Sequence, residues 1–255
     1  MSQTRARPVG PAATLAIAAC LVAGATAAQS RPDPPLDCGA FRGAAERGLC
    51  ARANDGDPAA EARLGVLYFT GRGVIMNSGE AIRLFRLAAA AAEPAGETYL
   101  GYVYETGQGL PKDPAEALRL YRLAAAQGSA QGMNALAWHL ATTERALDEA
   151  QRWAERAVAQ APEDGTYRDT LARVLLLRGQ PQRALTEQQR AVALSPDCAS
   201  CEDRLGDILA ALDRRDDART HWQRALDLSA GVSLDPEWDA AAVRRKLAGS
   251  PKTSR

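Results

Sequence analysis

The chain has 255 residues, and because its Lys plus Arg and its Asp plus Glu number 31 each, its formal net charge is zero. This balance argues against a protein that binds nucleic acid through a basic surface. Only 5% of the residues are aromatic, and runs of β-branched residues are few, which disfavours a β-sandwich or barrel. The composition indicates a soluble helical protein whose core is built from small side chains.

The first thirty residues predict an export signal. Arg5 and Arg7 precede an uncharged, mostly apolar run over residues 14–28, which is shorter than the roughly 20 residues that a membrane-spanning helix needs. Small residues at its end fit cleavage by a signal peptidase. A lipoprotein signal ending at Cys20 is the alternative, but the apolar run continues past this cysteine. We expect a signal peptide over residues 1–28, a periplasmic or secreted mature protein, and no integral membrane span.

Two segments then repeat with a period of 36 residues. The matching positions are Leu64-Gly65 with Leu100-Gly101, residues 71–73 with 107–109, and Phe85 with Tyr121. A glycine within a helix lets a neighbouring helix approach, and the Gly-x-Gly stretches supply positive φ angles for a turn. Asn77 and Asp113 stand where they would cap a second helix. Each unit is therefore predicted to be a helix pair that needs neighbours to bury its apolar face.

Downstream of these units the period changes to 34 residues. Alanines recur at positions 150, 184 and 218, and again at positions 157, 191 and 225. Pro162 and Pro196 close two of the three units, since proline cannot continue a helix. The pattern predicts three further helix pairs.

These residues carry a family resemblance. The 36-residue units, with LGVLYFTGRGV and LGYVYETGQGLPKDPAEALRLYRLAAAQG, resemble Sel1-like repeats, and the 34-residue units resemble tetratricopeptide repeats (TPRs). The resemblance covers roughly residues 60–229 and implies an all-α fold, a right-handed α-solenoid of antiparallel helix pairs. The implied division is a linker and N-terminal capping helix over 29–58, two Sel1-like repeats over 59–130, three TPRs over 131–231, and a capping helix and tail over 232–255.

Two features of the sequence concern packing in the C-terminal part of the array. The large aromatic residue of the second TPR helix is Ala154 and Gln188 in two units, and Trp222 in the last. We therefore expect looser packing in the middle units. Residues 235–247 predict a terminal helix that covers the last unit, with Trp238 and Leu247 facing inward.

Four cysteines remain after export, and an even number in an oxidising compartment indicates disulfides. They are Cys38, Cys50, Cys198 and Cys201. The last two stand at the start of a helix, where they fit either a redox pair or a local bridge. The local bridge is favoured because nothing indicates a thioredoxin-like βαβ unit.

The first two cysteines are twelve residues apart, about 18 Å on one continuous helix. A bridge between them therefore requires a break near Gly39 or Gly43. A bridge from Cys38 to another helix is equally compatible with the sequence.

No catalytic constellation is found in the sequence. Its two histidines, His139 and His221, lie in different repeats, and no motif for a metal, a nucleotide or a nucleophilic serine occurs. The sequence predicts no enzyme activity, no cofactor and no metal. The alternative hypothesis is a Sel1-like cell-wall-associated factor with penicillin-binding or hydrolase-type activity. The cysteine-rich branch linked to penicillin has one cysteine pair per repeat, whereas neither Sel1-like unit here contains one.

A stack of helix pairs forms a concave surface lined by the first helix of each unit. The candidate groove contacts are Tyr99, Tyr102, His139, Asp169, Arg173, Asp203, Arg204 and Asp207. Because charges of both signs alternate there, the surface suits a peptide or protein of mixed charge and not a plain anion. The predicted function is a non-enzymatic scaffold of the bacterial cell envelope that binds a protein or peptide partner.

Overall fold

The computed structural model describes residues 35–144, 146–229 and 238–249, and the predicted signal peptide lies outside these ranges. Within them are a 3-10 helix at Cys38–Ala40, twelve α-helices and no strand. The helices are α1 (Ala44–Asn54), α2 (Pro58–Thr70), α3 (Ser78–Ala90), α4 (Pro94–Thr106), α5 (Pro114–Ala126), α6 (Ala130–Thr142), α7 (Leu147–Gln160), α8 (Gly165–Leu177), α9 (Pro181–Leu194), α10 (Ala199–Ala211), α11 (Arg215–Ser229) and α12 (Ala240–Gly249).

The helices pack as consecutive pairs from α2–α3 to α10–α11. Each helix contacts the next one along the chain, and the first helices of neighbouring pairs also contact one another. The predicted all-α solenoid is thereby confirmed. Among the described residues, no α-helix is both long and apolar enough to cross a bilayer.

The turn and cap signals of the 36-residue units act as predicted. Gly71 and Gly107 end α2 and α4 with φ angles of 69° and 77°. The Asn77 side chain accepts a hydrogen bond from the Glu80 backbone N–H at 3.1 Å, and the Asp113 carboxylate accepts one from Glu116 at 3.1 Å. Each cap satisfies an N–H group that the helix itself leaves unpaired.

A glycine faces an aromatic ring inside each of these two units. A Cβ atom on Gly65 would lie 2.5 Å from the Phe85 ring, and one on Gly101 would lie 2.7 Å from the Tyr121 ring. The two rings are almost completely buried, with exposed fractions of 0% and 1%. The close approach predicted for these glycines is confirmed.

The middle of the TPR array differs from the loose packing expected there. Gln188, which replaces an aromatic residue, has no exposed surface. Its amide nitrogen donates to the Asp169 carboxylate at 2.8 Å and to the Cys201 carbonyl at 2.9 Å. A buried polar side chain therefore connects α8, α9 and α10.

Cys38 and Cys50 form a disulfide with their Cα atoms 5.5 Å apart. The chain is not helical between the 3-10 helix and α1, and Gly43 is the residue that precedes α1. This is the interruption that such a bridge requires. The bridge holds the N-terminal segment against the buried cluster around Phe41.

The terminal helix α12 begins at Ala240, five residues later than predicted. The Asp239 carboxylate accepts a hydrogen bond from the Ala241 N–H at 2.8 Å and begins the helix. Val243 is its fully buried residue, and Trp238 and Leu247 pack half-buried against the same cluster. The predicted residues 235–237 lie outside the described ranges.

Candidate functional site

A groove of about 800 Å³ runs along the first helices of the array. Helices α4, α6, α8 and α10 contribute to it in order, and α12 with Trp238 closes its C-terminal end. Aromatic, amide, hydroxyl and charged side chains alternate along its walls. The groove therefore offers stacking surfaces together with hydrogen-bond and ion-pair partners.

The central part of the groove is built from four positions that recur in three consecutive first helices. Helices α6, α8 and α10 begin at residues 130, 165 and 199, so equivalent residues are separated by 35 and then by 34. The four sets are Gln131, Thr166 and Ser200; Asn134, Asp169 and Asp203; Ala135, Thr170 and Arg204; Trp138, Arg173 and Asp207. All twelve residues line the groove, so the repeat itself generates the surface.

Seven of the eight predicted groove residues line this cavity, and His139 is the exception. The histidine is 5% exposed, and its Nδ1 lies 2.8 Å from Glu105 Oε1. The Tyr121 hydroxyl donates to the other Glu105 oxygen at 2.8 Å. His139 instead contributes to the wall of a separate cavity between α4 and α6.

His139 was wrongly assigned to the groove because one loop of the array is a residue longer than its equivalents. The loop between α6 and α7 has four residues, whereas the equivalent loops after α8 and α10 have three. A strict 34-residue period therefore aligns His139 with Arg173, although the structure aligns Trp138 with it. Matching Leu136-Ala137 to Leu171-Ala172 would have revealed the 35-residue interval and identified Trp138.

Trp138 occupies the centre of the groove. The guanidinium of Arg173 lies 4.6 Å from the centre of its ring, and that of Arg204 lies 5.5 Å away. Arg204 also donates through Nε to Asp169 Oδ1 at 2.8 Å. Cation–π contacts and an ion pair hold this cluster in place, so it is ordered before any ligand arrives.

The C-terminal end of the groove is acidic and is bound by the chain itself. The Lys246 ammonium of α12 donates at 2.7 Å to both Asp203 and Asp207, and the Trp222 indole N–H donates to Asp207 at 3.0 Å. Burial raises the pKa of Asp203, while the hydrogen bond from Lys246 acts in the opposite direction.

Asn134 Oδ1, an acceptor, and Trp238 Nε1, a donor, are buried in the groove and have no hydrogen-bond partner among the described residues. An unpaired buried polar atom costs roughly 1–3 kcal/mol. A ligand that offers one donor and one acceptor to these atoms would remove that cost.

The described residues contain no group of three His, Cys, Asp or Glu side chains arranged to hold a metal ion. In the groove, Asp169 is paired with Arg204, and Asp203 and Asp207 share the ammonium of Lys246. This arrangement suits binding by stacking, hydrogen bonds and ion pairs.

Comparison with known families gives a match to the Sel1 repeat over residues 58–92 and 94–129. These ranges contain α2–α3 and α4–α5. The chain therefore contains two Sel1 repeats. No curated protein matches the sequence significantly.

Three solved structures show the same fold at low sequence identity. A protective antigen of uropathogenic Escherichia coli with an SLR fold is 23% identical, with a TM-score of 0.57 over 71% of this chain and 40% of that one. A thermophilic TPR protein of Thermus thermophilus is 20% identical, with a TM-score of 0.55 over 76% of this chain and 98% of that one. A Sel1 repeat protein of Oxalobacter formigenes is 20% identical, with a TM-score of 0.51 over 78% of this chain and 87% of that one.

The chain thus spans about 40% of the length of the E. coli protein. Together these comparisons show two Sel1 repeats and the fold of Sel1 and TPR solenoids.

Proposed function

We propose that the protein is a non-enzymatic scaffold of the bacterial cell envelope that binds an extended segment of a partner protein in its groove. The observation that carries this proposal is that twelve equivalent residues of α6, α8 and α10 all face one cavity. A solenoid that presents the same positions from successive units offers a continuous strip for an extended chain.

The chemistry of the groove indicates the kind of segment that it accepts. Trp138 and its two arginines offer a stacking surface with cationic edges. At the C-terminal end, Asp203 and Asp207 share the single ammonium of Lys246, so this ammonium neutralises only one of their two negative charges. The unpaired Asn134 oxygen and Trp238 indole N–H match a backbone N–H and a backbone C=O. A peptide with an aromatic residue and charges of both signs satisfies these groups.

Two observations support export to the envelope. Residues 1–28 have the charge and hydropathy of a signal peptide. The Cys38–Cys50 and Cys198–Cys201 bridges fit an oxidising compartment, since disulfides persist there and are rare in the cytosol. The mature N terminus tests export, because sequencing should begin near Ala28 or Gln29, whereas a lipid-modified Cys20 would indicate a membrane anchor.

Peptide selection on the purified protein tests the binding function. A displayed library of random peptides is selected on the wild-type chain, and the affinities of the selected peptides are measured by titration. Trp138→Ala should weaken binding by about tenfold or more, as expected for a central interface tryptophan. Trp153→Ala is the matched control, because this half-buried tryptophan also carries an arginine 4.6 Å from its ring but does not line the groove.

Equal losses in the two variants, or no selected peptide, would contradict the proposal. Stoichiometric covalent labelling of the purified protein by a labelled penicillin would instead support the alternative hypothesis of a Sel1-like cell-wall-associated factor.

A further inference from the structure

A disulfide faces the groove at the start of α10. Cys198 is the residue that caps this helix, and the Cys201 N–H donates to its sulfur at 3.1 Å. Both cysteines line the groove. Cys198 is half-buried, whereas Cys201 is 3% exposed, so Cys198 is the sulfur that a ligand in the groove reaches first.

The fold does not require cysteines at these positions. In the preceding unit the cap of α8 is Asp164, whose carboxylate accepts from the Thr166 N–H at 2.8 Å. The unit before it uses Ser129 to cap α6, at 3.1 Å from the Gly132 N–H. A carboxylate or a hydroxyl therefore performs the capping that Cys198 performs here, and the cysteine pair needs another explanation.

The second disulfide shows what a structural bridge looks like in this chain. Cys38–Cys50 joins the 3-10 helix to α1 across twelve residues, with Cys50 fully buried in the core. Cys198–Cys201 spans three residues within one helix turn. Because the constraint on the unfolded chain grows with loop length, the groove bridge contributes less to holding the fold.

We propose that Cys198–Cys201 is a thiol–disulfide exchange site that accepts two electrons from a dithiol segment bound in the groove. A thiolate of that segment attacks the Cys198 sulfur, the bond between the two cysteines breaks, and Cys201 leaves as a thiolate that takes a proton from water. The second thiolate of the segment then attacks the first sulfur of the segment, which is bonded to Cys198 in the mixed disulfide. Cys198 leaves, and the segment becomes a disulfide.

The position of Cys198 favours this second step. A thiolate is stabilised by the N–H groups and the dipole at a helix N terminus, and a better-stabilised thiolate is the faster leaving group. The sum of the steps is one dithiol oxidised and one protein disulfide reduced. The proposal goes beyond peptide binding, because one equivalent of exchange per chain adds a redox step to the scaffold.

Redox titration of the intact protein tests the proposal without any selected peptide. The chain is equilibrated with graded ratios of reduced to oxidised dithiothreitol, alkylated, and analysed by mass spectrometry at each cysteine pair. Cys198–Cys201 should be half-reduced at a ratio at least about tenfold lower than Cys38–Cys50. Reduction of both pairs at the same ratio, or of Cys38–Cys50 first, would overturn the proposal.

A trapping experiment tests the assigned order of the two sulfurs. Cys201→Ala, treated with oxidised glutathione, should accumulate a mixed disulfide at Cys198 at least about tenfold faster than Cys198→Ala does at Cys201. Equal rates, or no adduct at Cys198, would contradict the assignment.

The double variant Cys198→Asp, Cys201→Ala separates loss of exchange from loss of folding, because an aspartate caps α8 in the preceding unit. It should retain helical content by circular dichroism and form no mixed disulfide in the groove, since it has no groove sulfur. If the wild-type chain selects no peptide but still exchanges at Cys198, the binding proposal alone is contradicted.

Discussion

The Sel1 half of the array, α2–α5, and the middle of the TPR half are held together by different means. In the Sel1 half an aromatic ring closes each helix pair against a glycine, as Phe85 does at Gly65 and Tyr121 at Gly101. In the middle TPRs the equivalent space is filled by Ala154 and by the hydrogen-bonded Gln188. One half therefore depends on buried apolar area, and the other on small side chains and buried hydrogen bonds.

The last helix pair, α10–α11, packs an aromatic ring against a glycine, as the Sel1 pairs do. A Cβ atom on Gly206 would lie 2.4 Å from the Trp222 ring, and Trp222 is 4% exposed. Both repeat types thus contain helix pairs in which an aromatic ring of the second helix packs against a glycine of the first. The difference between the halves arises from single positions and is testable by single substitutions.

The largest effect is expected at Phe85. Phe85→Ala removes a fully buried ring and should lower the free energy of unfolding by about 3–5 kcal/mol, since the Gly65 backbone cannot fill the space. Urea denaturation followed by circular dichroism measures the loss. Phe69→Ala is the control, because this half-buried ring should cost less. Equal losses would contradict the special role of the ring that faces the glycine.

The next effect concerns the terminal cap. Trp238→Ala should cost about 2–3 kcal/mol, below the value for a fully buried tryptophan, and deletion of residues 232–255 should cost more because Val243 is lost as well. In the deletion variant, segment-resolved hydrogen exchange should show lost protection over residues 199–229 and unchanged protection in α2–α5. Unchanged protection over residues 199–229 would show that α12 is not a cap.

A smaller effect is expected at Gln188. Gln188→Met keeps the side-chain length and removes the donor to Asp169 and to the Cys201 carbonyl. It also removes Gln188 Oε1, which is buried and has no hydrogen-bond partner among the described residues, so the net cost should be only about 1 kcal/mol. Gln182→Met on the exposed face of the same helix is the control, with an expected change within about 0.5 kcal/mol. A neutral or stabilising Gln188→Met would show that apolar packing alone suffices in the middle units.

The smallest effect is a pH dependence in the Sel1 half. Burial raises the pKa of Glu97, against the opposing hydrogen bond from Gln127 at 2.7 Å. Because the unfolded chain loses this proton at lower pH than the folded one, ionisation of Glu97 lowers stability as the pH rises above the unfolded pKa.

Glu97→Gln should therefore be slightly more stable than wild type at pH 7, and this difference should shrink as the pH falls below the unfolded pKa. Urea titrations at several pH values measure it. A variant that is less stable at pH 7, by an amount that does not change with pH, would contradict the burial argument.

The repeat periods predicted most of the fold. Glycines 65 and 101, the capping residues Asn77 and Asp113, and the alanines at 34-residue intervals all have a local physical meaning, so their spacing fixes helix pairs. The start of α12 was less predictable because it depends on the Asp239 cap. The burial of Gln188 depends on partners from two other helices, which no local pattern records.

The groove was predicted as a surface but not at every residue. The stripe of first-helix positions included Arg173, Arg204 and Asp207, which follow the 34-residue period. Trp138 was missed because a single extra residue in the loop after α6 shifts the register to 35. Lys246 and Trp238 were missed as groove residues because the cap brings them there from beyond the repeats.

Hydrogen exchange with a selected peptide bound most directly tests the claim that the first helices form the binding surface. Peptide binding should increase protection in α6, α8 and α10, which carry the twelve groove positions, and in α4, while α3, α5, α7, α9 and α11 change little. The change should be absent in Trp138→Ala and present in Trp153→Ala. Increased protection confined to the second helices, or equal changes in both variants, would contradict the assignment of the groove.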